Sequence, residues 1–244
     1  MLTFLRKIRK SLIDSGRSRK YLLYAIGEIG LVVIGILLAL QINNWNENRK
    51  KQIAEQESID KFVLLLEIDS ILFSQYLQSL DTYKVIYDEL FEMIVNGNKE
   101  VDLVNPEFIR AGVAYFPVTI DYNQEITSQI SNDSVRDKVI KYFHIEKRVN
   151  VGFEEFKTVI KDRMRIFLAQ KEIHDLAKWY TTIEDPRTQF INREDLITLS
   201  KDGQFQQLLL EASIKLRYFE SLLEDLLEYN NYLRDFLSGQ KKGE

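Results

Sequence analysis

The sequence predicts an all-α protein: one N-terminal transmembrane helix, then an elongated helical bundle outside the cytoplasm with coiled-coil-like seams. Three observations predict it. An apolar run from Tyr21 to Ile42 carries a single charge, Glu28. Long apolar repeats at alternating four- and three-residue spacing follow it, and no useful stretch alternates apolar and polar residues as a half-buried strand does. Between Gly35 and Gly97 there is neither glycine nor proline, so the first of those repeats continues straight out of the apolar run.

Residues 1–20 hold seven basic side chains, Arg6, Lys7, Arg9, Lys10, Arg17, Arg19 and Lys20, against one acid, Asp14. The whole chain carries a net charge of −4, so the basic head is balanced by an acidic body. Leu5, Ile8 and Leu12 recur at helical spacing, with Phe4 and Ile13 beside them. Two readings stand: a short helix over residues 2–13, with four basic residues opposite its apolar stripe, lying on an anionic inner leaflet that all seven cations contact, or a basic tail that sets orientation. A segment this short beside a membrane offers no fold that reads a groove, so no nucleic acid is expected as a partner.

Residues 21–42 form the transmembrane helix. From Lys20 to Asn43 a helix covers about 34 Å, enough for a hydrocarbon core of about 30 Å. The apolar run is too long for a signal peptide and ends in Gln41-Ile42-Asn43-Asn44 rather than a small-x-small pattern, so it reads as an uncleaved anchor. Tyr21, Tyr24 and Trp45 are placed as interfacial anchors. Arg49, Lys50 and Lys51 are the nearest basic residues behind the span, outnumbered by the seven before it, which puts the N-terminus in the cytoplasm. In a bacterium the remainder is then periplasmic.

Glu28 lies about 10 Å inside the cytoplasmic end. At about 100° per residue, Gly35 and Ala39 fall about 20° to either side of it, so a carboxyl group and a small-residue pair share one face. A carboxylate facing lipid costs several kcal/mol, so this face is expected to meet a partner helix or water. Glu28 reads either as polar glue in an assembly or as part of a proton or ion path.

Residues 43–58 are polar all round, a helical neck or a hinge. The extracytoplasmic domain, residues 59–240, opens with Ile59, Val63, Leu66, Ser70, Phe73, Leu77, Leu80, Lys84, Tyr87, Phe91 and Ile94 at seam spacing, and Asn96-Gly97-Asn98 ends that helix. Asn105 with Pro106 starts a helix that must stop before Pro117. Asp121 caps a short helix to about Ile130, and Asn132-Asp133 breaks the chain. From Ser134, Val139, Tyr142, Val149, Phe153, Phe156, Ile160 and Phe167 predict a long helix to about Tyr180, interrupted only by Gly152. Asp185-Pro186 opens a linker, Asn192 caps a helix to about Leu199, and Lys201-Asp202-Gly203 turns. The last helix has Phe205, Leu209, Ala212, Leu216, Phe219, Leu223, Leu226, Asn230, Leu233 and Leu237 at unbroken seam spacing, with Asn230 the one polar residue, placed to fix register.

The absence of cysteine excludes disulfides, thiolate metal sites and cysteine nucleophiles. His144 and His174 lie about 45 Å apart if the long helix is continuous, too far to share a metal. Glu154-Glu155 and Glu224-Asp225 read as solvated faces. The aromatic segment from Tyr115 to Tyr122 is expected to cover one end of the bundle, with a pocket wall as the alternative. No phosphate loop, nucleophile elbow or metalloprotease motif occurs, so no catalytic residue, metal or cofactor is expected and the chain reads as a non-enzyme.

The run AIGEIGLVVIGILLALQINNWNENRKK, with the preceding RKIRKSLIDSGRSRKYLLY, resembles the N-terminal signature of an uncharacterised family of single-pass membrane proteins common in Bacteroidota. The likeness covers about residues 4–51. A looser one spans Tyr122 to Tyr142, where Ser131-Asn132-Asp133 replaces the usual Ser-Gly-Asn turn. The resemblance implies an inner-membrane, helix-rich periplasmic protein of a Gram-negative bacterium and supplies no activity or catalytic residue. The expected role is that of a membrane-anchored structural or interaction protein, a homo-oligomer or a subunit of an envelope complex, whose partners are the lipid bilayer and other envelope proteins. Two alternatives remain: a conducting or force-coupling assembly built on Glu28, and a ligand sensor that signals through a separate partner.

Overall fold

The structure, a computed structural model, describes residues 18–97, 101, 103, 105–181 and 190–240. The chain divides into two compact units, Met1–Gln56 and Glu57–Glu244. Helix α1 (Ser18–Asn96) contributes to both, and residues 43–58 are helical.

In the first unit no side chain from Leu22 to Ile42 is buried. An 18-residue window of α1 reaches a mean hydropathy of 2.4, and among the described residues this is the one helix long and apolar enough to cross a membrane. The segment is a candidate membrane anchor.

The second unit is all helix and turn, with no strand among the described residues. Its frame is the Glu57–Asn96 part of α1, helix α3 (Asp133–Thr158) and helix α7 (Gly203–Gln240). Ser70 donates to Asn231 at 2.9 Å, Lys84 pairs with Glu220, and Arg217 pairs with Asp88 at 2.6 Å, so α7 runs antiparallel to α1. Lys215 pairs with Glu155 and Lys138 donates to Tyr232, so α7 is antiparallel to α3 as well. At Gly152 α3 approaches α7 closely. A Cβ there would sit 2.9 Å from Leu222 Cδ1 and 3.7 Å from the Phe219 Cα, so this glycine serves packing and does not interrupt the helix.

The chain returns from the end of α1 through Gly97, whose φ of 66° lies in the left-handed region that glycine enters without a Cβ penalty. The segment 111–130 then runs back along α1. Tyr83 donates to the Gly112 carbonyl, Phe116 N donates to Tyr76, Val118 N donates to Asp69, and Ser58 donates to Gln129. This strap ends in helix α2 (Asn123–Gln129) and occupies the fourth position of the bundle.

All ten predicted seam residues of α7 are buried, Asn230 included. In α1 the seam differs from the predicted one. Leu66, Phe73, Leu80 and Tyr87 are buried as expected, but the intervening buried positions are Phe62, Asp69 and Leu90 rather than Val63, Ser70 and Phe91. The buried residues keep the seven-residue spacing, with the second seam position three residues after Leu66, Phe73, Leu80 and Tyr87 rather than four.

Other elements depart from the sequence expectation. Asn105 takes a left-handed conformation (φ 55°) with no side-chain cap, and the helix after it is a single 3-10 turn, Pro106–Arg110. Asp121 lies inside the 3-10 turn Ile120–Tyr122 and does not cap α2. Asn132 does cap α3, accepting from Ser134 N and Val135 N. The helix expected to reach Tyr180 instead passes through a π turn, Val159–Met164, and helix α4 (Arg165–Gln170), then stops where Glu172 adopts φ 56°. Leu176–Thr181 is a separate short helix, α5. Asn192 caps helix α6 (Arg193–Leu199), and Asp202 accepts from Gln204 N and Phe205 N at the start of α7. The Asp185-Pro186 linker lies outside the described residues.

Candidate functional site

Of the sequence-predicted site residues, Glu28, Gly35 and Ala39 share a face of α1 by helical register. A Cβ on Gly35 would meet nothing within 4 Å, so this face is open to close approach by another helix. Tyr24 and Trp45 are 60% and 66% exposed. Arg6, Lys7, Arg9, Lys10 and Arg17 lie outside the described residues, as do the side chains of Arg19, Lys20 and Tyr21, although these three belong to α1.

The chemistry concentrated in the second unit was not among those expectations. Asp69 from α1, Thr119 from the strap and Glu146 from α3 meet in the core, at 0%, 0% and 3% exposure. Asp69 Oδ1 accepts from Val118 N at 2.7 Å, and Oδ2 accepts from Thr119 N at 3.0 Å. Thr119 Oγ1 lies 2.6 Å from Asp69 Oδ2, 2.6 Å from Glu146 Oε1 and 3.0 Å from the Tyr142 hydroxyl. Asn230 Nδ2 reaches the same hydroxyl at 3.3 Å.

A threonine hydroxyl has one hydrogen, so it cannot donate to two carboxylates. Asp69 already accepts two backbone N–H groups whose direction is fixed, which makes it the charged acceptor. The remaining bonds close in one direction: Glu146 protonated and donating to Thr119 Oγ1, and Thr119 donating to Asp69. Burial pushes the Glu146 carboxyl up to about 7, opposed by its hydrogen-bond contact with Thr119 and supported by the nearby Asp69 and Asp121. Burial also raises Asp69, opposed by its bonds to Thr119 and Val118. The Tyr142 hydroxyl, buried beside both acids, is raised well above the ordinary phenol value.

Tyr115 lines a cleft of about 630 Å³ and lies close enough to the acid pair for both carboxyl groups to act on its hydroxyl. Its ring packs on Phe73, Phe153 and Phe219 at 5.7 to 6.2 Å. Its hydroxyl is buried with no hydrogen-bond partner among the described residues, and burial together with Glu146, Tyr142 and Asp69 raises it. Tyr115, Phe116 and Pro117 thus line a cleft on the side of the bundle rather than cover its end. His144 is exposed on α3, whereas His174 lies in a loop, bridged to Ile191 and packed on Phe190, so the two do not share a helix. Burial and the neighbouring Arg110 push the His174 imidazole down. Glu154 and Glu155 pair with Lys157 and Lys215, and Glu224 and Asp225 are solvated.

The sequence did carry a signal for the acid pair. Glu146 fills the missing step between Tyr142 and Val149 in the α3 repeat, and Asp69 sits one residue from the predicted seam. An acid at a core phase of an amphipathic helix requires a buried partner.

Residues 28–144 match the model of a family of unknown function (DUF6090), a stretch that includes Glu28, Asp69, Thr119 and Tyr142. No curated protein and no solved structure matches the chain.

Proposed function

We propose that this is a membrane-anchored structural or interaction protein of the bacterial envelope, with its N-terminus in the cytoplasm and residues 59–240 in the periplasm. It acts by association, as a homo-oligomer or as a subunit of a larger membrane complex, and no catalysis is part of its role. One observation carries this reading. The apolar surface from Leu22 to Ile42 is left uncovered by the described residues, while the second unit has a core of its own. That anchor surface needs lipid and helical partners, and the Glu28, Gly35 and Ala39 face suits a close helix pair.

Native mass measurement of the full chain in nanodiscs tests the proposal. An oligomer, or a co-purifying membrane partner, is expected, and Glu28→Gln is expected to weaken it. A strictly monomeric chain with no partner would overturn the association reading. If Glu28→Gln instead leaves assembly intact and abolishes a cation or proton flux in liposomes, Glu28 is a conducting group rather than glue.

A further inference from the structure

The cleft beside Tyr115 has a mixed apolar and basic lining. Along the strap, side chains alternate between buried and exposed from Tyr115 to Ile120, and the exposed ones are apolar. Tyr115, Pro117 and Thr119 point inward, while Phe116, Val118 and Ile120 are 73%, 39% and 44% exposed. The inward threonine is fixed by the acid pair, which forces the apolar side chains out. Phe116 and Ile120 form one wall of the cleft, and Phe153 and Ile160 contribute to the other.

The second wall also carries cations. The π turn Val159–Met164 buries Val159, Ile160 and Met164 and leaves Lys161 and Arg165 exposed at the cleft, four residues apart and in step with Lys157. π turns of this kind recur at functional positions in helices. Lys157 is neutralised by Glu154 at 2.8 Å. Among the described residues Lys161 and Arg165 have no carboxylate within pairing distance, and Arg165 uses its Nε on the Arg110 carbonyl at 2.9 Å, which leaves its terminal nitrogens available. Asp121 is the other acid of the lining, so the cleft holds an excess of one positive charge. A volume of about 630 Å³ lies in the range of small-molecule sites.

We propose that this cleft binds a free small amphiphile with one carboxylate, its apolar chain or ring against Phe116, Ile120, Phe153 and Ile160 and its carboxylate on Lys161 and Arg165. A guanidinium matches a carboxylate in a two-bond fork, and an apolar wall beside it selects for a chain attached to that head group. This assignment goes beyond the association role and does not depend on it.

The probe is octanoate, titrated by calorimetry into the full chain in zwitterionic nanodiscs, with empty discs as the blank. Saturable binding above the blank is expected, with octylamine showing none. The Lys161→Gln, Arg165→Gln double variant and, separately, Phe116→Ser are each expected to weaken binding at least tenfold. All three side chains are exposed, so helicity by circular dichroism and the melting temperature should remain those of the unaltered chain. Three results would overturn the proposal: octanoate uptake no greater than the blank, octylamine binding as tightly as octanoate, or unchanged affinity in both variants. Repeating the titration in discs containing anionic lipid separates the sources. Undiminished affinity supports a free ligand, and loss of octanoate binding there shows that the site takes a lipid head group and overturns the assignment.

Discussion

Replacing Glu146 by glutamine is expected to stabilise the bundle above neutral pH and to flatten its pH dependence. The carboxyl group is pushed up to about 7 in the folded chain, mainly by burial, from an ordinary value of 4.5. That difference corresponds to about 3 kcal/mol at about 1.4 kcal/mol per pH unit. Because the folded value is the higher one, the folded chain keeps a proton that the unfolded chain has released. Stability is therefore full below about pH 4.5, falls as pH rises and levels off above about 7. An amide at this position cannot ionise, and its N–H donates to Thr119 Oγ1 as the protonated acid does, which leaves Thr119 free to donate to Asp69. Glu146→Gln should therefore gain up to about 3 kcal/mol at pH 8 and little at pH 5. Asp69→Asn is the mirror test. Both Asp69 oxygens accept from backbone N–H groups, so an amide there turns its own N–H bonds onto a donor and should cost about 3 kcal/mol. Urea denaturation of residues 43–244 from pH 5 to 9, followed by circular dichroism, measures both. A Glu146→Gln variant that loses more than 1 kcal/mol at pH 8, or that keeps the pH slope of the unaltered chain, would refute the proton assignment.

Residues 43–244 without the anchor should remain helical in water by circular dichroism, because the second unit closes its own core; an unfolded product would show that the anchor is needed for folding. Gly152→Ala should change stability by less than about 1 kcal/mol, since the flexible end of Leu222 can move and alanine favours the helix, whereas Gly152→Leu should cost about 3 kcal/mol by forcing α3 from α7. Equal melting temperatures for the two variants would contradict that close approach. Asn230→Leu should hold or raise the melting temperature, because Asn230 Oδ1 is buried without a partner; a loss above about 2 kcal/mol would mean that its bond to Tyr142 outweighs the unmet acceptor.

The long elements were legible because their signals are periodic and redundant. In α7 ten seam residues agree, and a single polar exception at Asn230 does not disturb the phase. In α1 the reading is off by one position at Asp69, because a four-residue step from Leu66 places the second seam position at Ser70, whereas the helix buries the residue three after Leu66. The strap was opaque for a different reason. Its conformation is set by side chains distant in sequence, Asp69 and Tyr76, which capture the backbone N–H groups of residues 116, 118 and 119, and a local pattern does not contain them. Its period-two segment does not sort by polarity, with Tyr115 and Pro117 buried and Phe116, Val118 and Ile120 exposed, so it carries no half-buried strand signal. Likewise the end of the long helix near Gln170 rests on a π turn and on Glu172 in a left-handed conformation, neither of which has a residue-type signature as strong as glycine or proline. Glu28 with Gly35 and Ala39 was readable because face-sharing along one helix needs only its geometry.

The central claim, a helical domain held outside the cytoplasm by one N-terminal span, is tested most directly by a reporter that is active only in the periplasm. Fused after Glu244 it should be active, and fused before Met1 it should be silent, because the basic residues preceding the span outnumber those that follow it. Activity only from the fusion before Met1 would contradict the account, reversing the orientation and removing residues 59–240 from the periplasm.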